Sequence, residues 1–373
     1  MNNLKRSLED LIDDTWLPNP PSIEELRKRT GRRGLQVHRP RRLLAGIVTT
    51  LVVISGAALA VAYGPRSSTT GSNRPATQTT PVPDVIGLEP QIAQPTVLAA
   101  SNGKLWVSGY TPDQRDGPLL EFDAATGKLL STIRLPNGGP FQIVAVKNTI
   151  WMRTQQGEAS THLVKIDART HRVVANVRLS FDGGLAVTKD AVWTVDGPYG
   201  LRRIDPRTGH TIATIPLPGG RYGPLSVTAG PLGVFLGNPY DGGIWRVNTQ
   251  TNTVSLVTHI GTAVGQMFEL GASLWVPTGT ALVDLPVSTG IPGRTIELGA
   301  PILSVSSDGH YLWVTTDMPK PGAFRVDPTS GKITPITLPA NVAHLFAVAS
   351  EPVTGTTWDT AMLPTPSLVH LTP

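Results

Sequence analysis

The sequence predicts an all-β fold, a seven-bladed β-propeller of four-stranded blades, preceded by one transmembrane helix and a short cytoplasmic tail. Three observations predict it: one long apolar run near the N-terminus, an aromatic motif that recurs along the rest of the chain, and a turn motif in phase with it. The 38 Gly and 34 Pro would interrupt long helices, and a hydrophobic content of 40% is too high for disorder. Because the chain has no Cys, disulfides, zinc–thiolate sites and thiol nucleophiles are excluded.

The apolar run, residues 44–62, is interpreted as an uncleaved signal anchor. Its 19 residues would form about 28 Å of helix, close to the thickness of a bilayer core. Eight positive charges and no negative ones lie between Arg27 and Arg42, directly before it, which places the N-terminus in the cytoplasm. A cleaved signal peptide is the alternative, but 42 residues precede the run where such a peptide has a short basic segment. The expected localisation is therefore the cell membrane, single-pass, with the body outside the cytoplasm.

Residues 1–43 form the predicted cytoplasmic tail, with ten Lys or Arg against six Asp or Glu. Leu4, Leu8, Leu11 and Ile12 share one stripe of a short amphipathic helix. The helix either lies on the membrane or docks a cytoplasmic partner. Residues 64–373 carry 22 positive and 21 negative charges, so the basicity belongs to the tail and no nucleic-acid partner is expected. Residues 63–83, rich in Gly, Pro, Ser and Thr, are predicted to be a flexible linker.

Residues 84–373 contain the repeat that predicts the propeller. An aromatic residue flanked by apolar residues recurs at Trp106, Trp151, Trp193, Phe235, Trp275, Trp313 and Trp358, with a mean spacing of 42 residues. After each of the first six comes a strand that ends in a turn such as FDAATGK, IDPRTGH or VDPTSGK, in which Asp caps the turn and Gly accepts a positive φ. The aromatic residues are expected in the core, where neighbouring sheets stack.

The seventh unit ends at Pro373 without an outer strand. Residues 84–91 resemble the outer-strand pattern and are expected to pair with Ser367 to Leu371, which closes the ring and removes exposed edges. The count is therefore seven blades.

The LWV-like strand, the IDP-x-TG turn and the terminal Leu-Pro resemble those of the streptogramin (virginiamycin B) lyase-like group and of the wider lactonase-like and NHL-like propellers. This resemblance covers residues 84–373. It implies, as one alternative, a metal-dependent enzyme that uses Mg or Ca, since streptogramin lyases act through a bound magnesium ion with paired His and Glu residues. No Glu-x-His pair occurs here, and only His344 is expected near the central channel. We therefore expect no catalytic residue, no metal site and no cofactor.

A ligand is expected on the face that carries the longer loops, which connect outer to inner strands and second to third strands. Those loops are residues 110–117, 153–161, 218–224, 237–243 and 315–321. The candidate ligand-face residues are Asp113, Arg115, Asp116, Arg153, Arg221, Tyr222, Tyr240, Asp241, Asp317, Lys320 and His344.

The favoured hypothesis is a membrane-anchored extracytoplasmic module that binds a ligand or protein of the cell envelope, as a sensor or scaffold. Its bilayer contact would be residues 44–62.

Overall fold

The computed structural model describes residues 84–113, 117–135, 138–156, 160–180, 183–197, 200–219, 225–261, 264–318, 321–340 and 342–373. The predicted tail, membrane helix and linker lie outside these ranges. Within them, none of the helical segments is long and apolar enough to cross a membrane.

The described residues form 28 strands in seven four-stranded antiparallel sheets, so the predicted seven-bladed propeller is confirmed. Blade 1 consists of β2 (Gln94–Ser101), β3 (Lys104–Tyr110), β4 (Leu119–Asp123) and β5 (Leu129–Ile133). Blade 2 consists of β6 (Gly139–Val146), β7 (Thr149–Gln156), β8 (Ser160–Asp167) and β9 (Arg172–Leu179). Blade 3 consists of β10 (Leu185–Val187), β11 (Val192–Val195), β12 (Leu201–Ile204) and β13 (Thr211–Ile215). Blade 4 consists of β14 (Ser226–Gly230), β15 (Gly233–Gly237), β16 (Gly243–Asn248) and β17 (Thr253–His259). Blade 5 consists of β18 (Phe268–Leu270), β19 (Ser273–Thr278), β20 (Ala281–Pro286) and β21 (Thr295–Glu297). Blade 6 consists of β22 (Ile302–Ser307), β23 (Leu312–Thr316), β24 (Gly322–Val326) and β25 (Ile333–Ile336). Blade 7 is β26 (Ala343–Glu351), β27 (Thr356–Leu363), β28 (Ser367–Leu371) and β1 (Val85–Gly87).

The first strand of each blade lies innermost, and these seven strands contact one another in a closed cycle. The cycle runs β2, β6, β10, β14, β18, β22, β26 and back to β2. Hydrogen bonds support these contacts: Thr96 Oγ1 of β2 donates to Pro140 O of β6 at 2.9 Å, and Thr228 Oγ1 of β14 donates at 2.6 Å to Met267 O, directly before β18. The inner strands therefore surround the propeller axis.

Blade 7 combines the two ends of the body. Its outer strand is β1, which pairs antiparallel with β28 through Val85–Val369, Ile86–Leu368 and Gly87–Ser367. This is the closure that the repeat pattern predicts for residues 84–91. Leu88, just beyond β1, is 1% exposed and belongs to the core shared by blades 7, 1 and 2. The chain thus enters blade 7 through an element that the ring needs in order to close.

The repeated aromatic residues pack between the blades, as predicted. All seven are buried, with exposed fractions of 5% or less. They belong to cores that neighbouring blades share: Trp193 lies in the core of blades 3 and 4, and Trp275 in that of blades 5 and 6. Since truncating a buried Trp to Ala typically costs about 3–5 kcal/mol, the repeat mainly reflects the packing of the ring.

The turns between the third and fourth strands share one capping geometry in five blades. A side-chain oxygen accepts the backbone N–H groups two and three residues later at 2.7–3.3 Å, and the fifth residue has a φ of 55–76°. The capping residues are Asp123, Asp167, Asp205, Asn248 and Asp327. These N–H groups hold the pKa of Asp167 and Asp205 below its ordinary value, so both stay ionised. Blade 5 differs, because Asp284 lies inside β20 and the turn runs from Pro286 to Gly290.

These turns also receive side chains from the preceding blade. The contacts are Lys165 Nζ to Pro206 O at 2.6 Å, Arg203 Nη1 to Thr249 O at 2.7 Å, Arg294 Nη1 to Thr329 O at 2.7 Å, Trp358 Nε1 to Ala124 O at 3.2 Å, and Glu121 Oε2 to His171 Nε2 at 2.8 Å. Lys165 and Arg203 also lie over the aromatic rings of Trp151 and Trp193. Five of the seven blade interfaces are therefore joined by such contacts among the described residues.

Candidate ligand-binding face

The two ends of the propeller differ in the connections they carry. The turn face holds the connections from first to second and from third to fourth strands. The loop face holds those from second to third strands and from each blade to the next. Because β1 is an outer strand and Asp84 O accepts His370 N at 2.9 Å, the chain enters the ring at the turn face. The loop face therefore lies opposite the point at which residue 84 joins the preceding segment.

The loop between β15 and β16 is braced by its own polar side chains, which accept backbone N–H groups within the loop. Asn238 Oδ1 accepts Tyr240 N at 2.8 Å, and Asp241 Oδ1 accepts Gly243 N at 2.8 Å. The Tyr240 side chain is 60% exposed. An aromatic side chain that is presented to solvent on a braced turn can bind a partner without a large loss of conformational entropy.

Two acidic candidates on other blades, Asp113 of blade 1 and Asp317 of blade 6, also lie on the loop face. Asp113 is exposed and accepts a hydrogen bond from Thr111 Oγ1 at 2.6 Å. Asp317 is half-buried, and its Oδ1 accepts Met318 N at 2.7 Å, next to a Met318 side chain that is 55% exposed. The described part of the loop face therefore combines exposed carboxylates with two exposed apolar side chains.

Arg153 is not the loop anchor that the sequence analysis expects. Strand β7 continues to Gln156, so Arg153 lies within the sheet and is 0% exposed. Its Nη1 donates to Gly183 O at 2.6 Å, Thr194 Oγ1 at 2.8 Å and Val195 O at 2.8 Å. The guanidinium therefore joins blade 2 to blade 3, because an Arg this deep must use its donors within the protein.

His344 is the second residue of inner strand β26. Its side chain is half-buried and its φ is 53°, next to a bulge between Leu345 and Ala347. Arg115, Asp116, Arg221, Tyr222 and Lys320 lie outside the described residues. In the ranges that the structure covers, three or more His, Asp or Glu side chains do not come together as a metal site would require.

The bulge beside His344 is held by Asp359, which the sequence analysis did not single out. Asp359 Oδ1 accepts Phe346 N and Ala347 N, both at 3.1 Å, and the side chain is 0% exposed. Burial raises the pKa of Asp359 to about 8, against the opposing effect of these N–H groups. The sequence does contain a signal for Asp359: it directly follows the repeated aromatic residue of its blade, whereas the other six blades have an apolar residue or Thr at that position.

A half-buried carboxyl lies between blades 4 and 5. Glu269 Oε2 accepts Leu232 N at 2.8 Å, and burial raises the pKa of Glu269 to about 7, opposed by that N–H group and by Arg246. Leu232 itself packs against the apolar core of blades 4 and 5. Glu269 joins the first turn of blade 4 to the inner strand of blade 5, so it supports the ring and does not face a ligand.

Comparison with known proteins supports the fold alone. No protein-family model matches the chain, and no curated protein matches it. Among solved structures, 1406 chains match, which shows how widespread this architecture is. One is a chain of the "Crystal Structure of Mitotic Checkpoint Complex", with a TM-score of 0.59, 13% identity, and coverage of 84% of this chain and 98% of that chain. At this identity the likeness concerns the fold, so residues 84–373 are those of a seven-bladed β-propeller protein, a class often used for binding or scaffolding.

Proposed function

We propose that the chain is a membrane-anchored extracytoplasmic propeller that binds a ligand or protein of the cell envelope through its loop face. The observation that carries this function is the position of that face. The chain joins the ring at the turn face, so the loop face lies at the opposite end of the ring from the point of attachment, where the tether does not hinder a partner. Loops on a rigid scaffold are where binding residues concentrate.

The partner would be recognised by the exposed side chains of the loop face. Tyr240 and Met318 offer apolar contact, and Asp113 and Asp241 offer negative charge. This set fits a partner surface with apolar and basic groups, because Tyr is a frequent anchor residue and complementary charge increases the association rate.

The membrane part of the proposal rests on the apolar run at 44–62 and on the arginine-rich segment before it. Protease treatment of intact cells tests it. A tag at residue 1 should be protected, whereas a tag after Pro373 should be cleaved. Cleavage of both tags, or of neither, would contradict the assigned topology.

Site-specific photocrosslinking tests the binding face. A photoreactive residue at position 240 of the full chain should give a discrete crosslinked product, which Asp241→Lys weakens. The matched control is position 256, where Leu256 is 51% exposed on outer strand β17, away from the loops. Equal crosslinking at both positions would contradict the loop-face assignment. Stoichiometric bound metal together with ester-opening activity would favour the enzyme instead.

A further inference from the structure

The turn face of blades 1–3 exposes apolar side chains at one repeated position. At the start of each outer strand lie large aliphatic residues that solvent reaches: Leu129, Leu130, Val173, Val174 and Ile212, with exposed fractions of 37–53%. Soluble surfaces normally carry such residues singly, so a repeated set on three adjacent blades indicates an interaction surface.

A β-bulge places one of these residues outward in each blade. The register passes from Ser131 to Leu129 in β5, from Ala175 to Val173 in β9 and from Ala213 to Thr211 in β13. The residues skipped are Leu130, Val174 and Ile212. A bulge bends an edge strand and interrupts its ladder, so these edges are poorly suited to pair with a strand of a second copy.

Positive charge surrounds the same positions. On the turn face of blades 1–3 six cationic side chains are exposed: Lys128, Lys147, Arg169, Arg172, Lys189 and Arg207. Asp190 is exposed there as well. The carboxylates of Asp123, Asp167 and Asp205 are half-buried and accept backbone N–H groups of their own turns. Exposed aliphatic groups among Lys and Arg are the combination that binds at the surface of an anionic bilayer.

The chain also brings this face close to a bilayer. Asp84 enters blade 7 at the turn face, beside blade 1. The linker proposed for residues 63–83 would have a root-mean-square length of about 25 Å as a flexible coil. A surface tethered at such a distance meets the bilayer at a high effective concentration, so that weak contacts suffice.

We propose that the turn-face rim of blades 1–3 docks onto the anionic lipid surface of the membrane that holds the chain, which orients the loop face outward. This inference rests on the proposed function, because the tether keeps the rim near the lipid. The aliphatic residues would enter the interfacial region, and Lys128, Arg172 and Arg207 would lie at the headgroups.

The absence of Cys from the chain permits a direct test with single labels. Full chain carrying Val174→Cys with a fluorophore is reconstituted in vesicles of phosphatidylcholine, with or without phosphatidylglycerol, that contain a headgroup nitroxide quencher. Thr365→Cys, which is exposed on the loop face, is the matched label. Quenching at position 174 is expected only in the anionic vesicles. It should be several-fold stronger than at 365, and should be lost near 1 M salt, where the screening length is about 3 Å.

Charge-reversal variants distinguish an effect of the rim residues on membrane binding from an effect of the net charge of the protein. Lys128→Glu with Arg172→Glu should remove most of the quenching, since each basic residue near an anionic surface strengthens binding roughly fivefold. Arg134→Glu with Arg178→Glu, on the loop-face side of the same blades, has the same net charge and should leave it unchanged. Equal loss in both doubles would overturn the proposal.

Flotation of the same samples distinguishes this inference from the anchor. Chains that float with every vesicle but show no quenching at 174 would contradict the rim and leave the anchor intact. Chains that float only with anionic vesicles, reversibly in salt and with quenching at 174, would support the rim and contradict the anchor. Chains that float with neither vesicle would contradict the rim.

Discussion

At the scale of single residues, the ring contains ionisable groups whose burial has a measurable cost. Glu269 and Asp359 are both carboxyls that accept backbone N–H groups between or beside blades. Both have a pKa that burial raises towards or above neutrality. Each therefore destabilises the fold when it ionises, and each makes stability depend on pH.

Glu269→Gln should stabilise the protein at high pH and have little effect at low pH. The pKa of Glu269 rises on folding from 4.5 to about 7, so its favourable contribution is complete below pH 4.5 and is lost as pH rises through 7. Glutamine keeps an acceptor for Leu232 N and never ionises. The difference in Tm between variant and parent, measured from pH 4 to pH 9, should increase and then level off above about pH 8. A difference independent of pH would contradict the raised pKa.

Asp359 permits a test of hydrogen bonding against charge. Asp359→Ala leaves Phe346 N and Ala347 N without their acceptor, so in urea unfolding it should be less stable than Asp359→Asn by about 2–4 kcal/mol at any pH. Asp359→Asn keeps an acceptor and resembles the protonated acid, so it should be close to neutral at pH 4, become increasingly favourable as pH rises towards 8, and level off above pH 8. Equal losses for the two variants would contradict this account.

Single residues also mark the limit of prediction from sequence. The aromatic positions could be predicted because an aromatic residue occurs at the same place in all seven repeats, and each fills the same gap between neighbouring blades. Arg153 was misassigned, because β7 extends to Gln156 whereas the equivalent strand of blade 3 ends at Val195. Strand length within a blade depends on the neighbouring blade, which the local pattern does not contain. The link from Glu121 to His171 could not be foreseen for the same reason.

At the scale of elements, the capped turns accept hydrogen bonds from cationic side chains of the preceding blade, and these contacts join neighbouring blades. Turn chemistry could be predicted from Asp and Gly at fixed spacing, and five blades follow it. Blade 5 departs, since its turn starts at Pro286 and four further residues, 291–294, follow Gly290. In that blade the inter-blade contact comes from Arg294 within the insertion. The link is thus kept by a different residue.

Arg203→Met tests the value of one link. Methionine can still cover the ring of Trp193 but loses the donors to Thr249 O and to Asn252 Oδ1, so unfolding should become easier by about 1–2 kcal/mol. Arg207→Met is the matched control, because the Arg207 side chain is 91% exposed and its change should stay within about 0.5 kcal/mol. Similar losses in both variants would mean that the inter-blade contact adds nothing.

At the scale of the whole molecule, closure couples the entry of the chain to the stability of the ring. β1 supplies three residues of pairing and delivers Leu88 to a core shared by blades 7, 1 and 2. The strand that closes the propeller is therefore also the element that joins it to the preceding segment. A pull on the linker would act directly on this seam, which has three paired positions.

A chain that begins at residue 92 should be less stable than one that begins at residue 84. It loses β1 and buried Leu88 and exposes the edge of β28, so Tm should fall by roughly 5–10 °C and aggregation should increase. The comparison is made by calorimetry and light scattering at matched concentration. Added peptide of residues 84–91 should restore part of the lost Tm, because it can re-form the antiparallel pairing with Ser367 to Val369. A scrambled peptide of the same composition should not. Equal Tm values for the two chains would show that three strands suffice for blade 7, and that the outer strand serves only to attach the body.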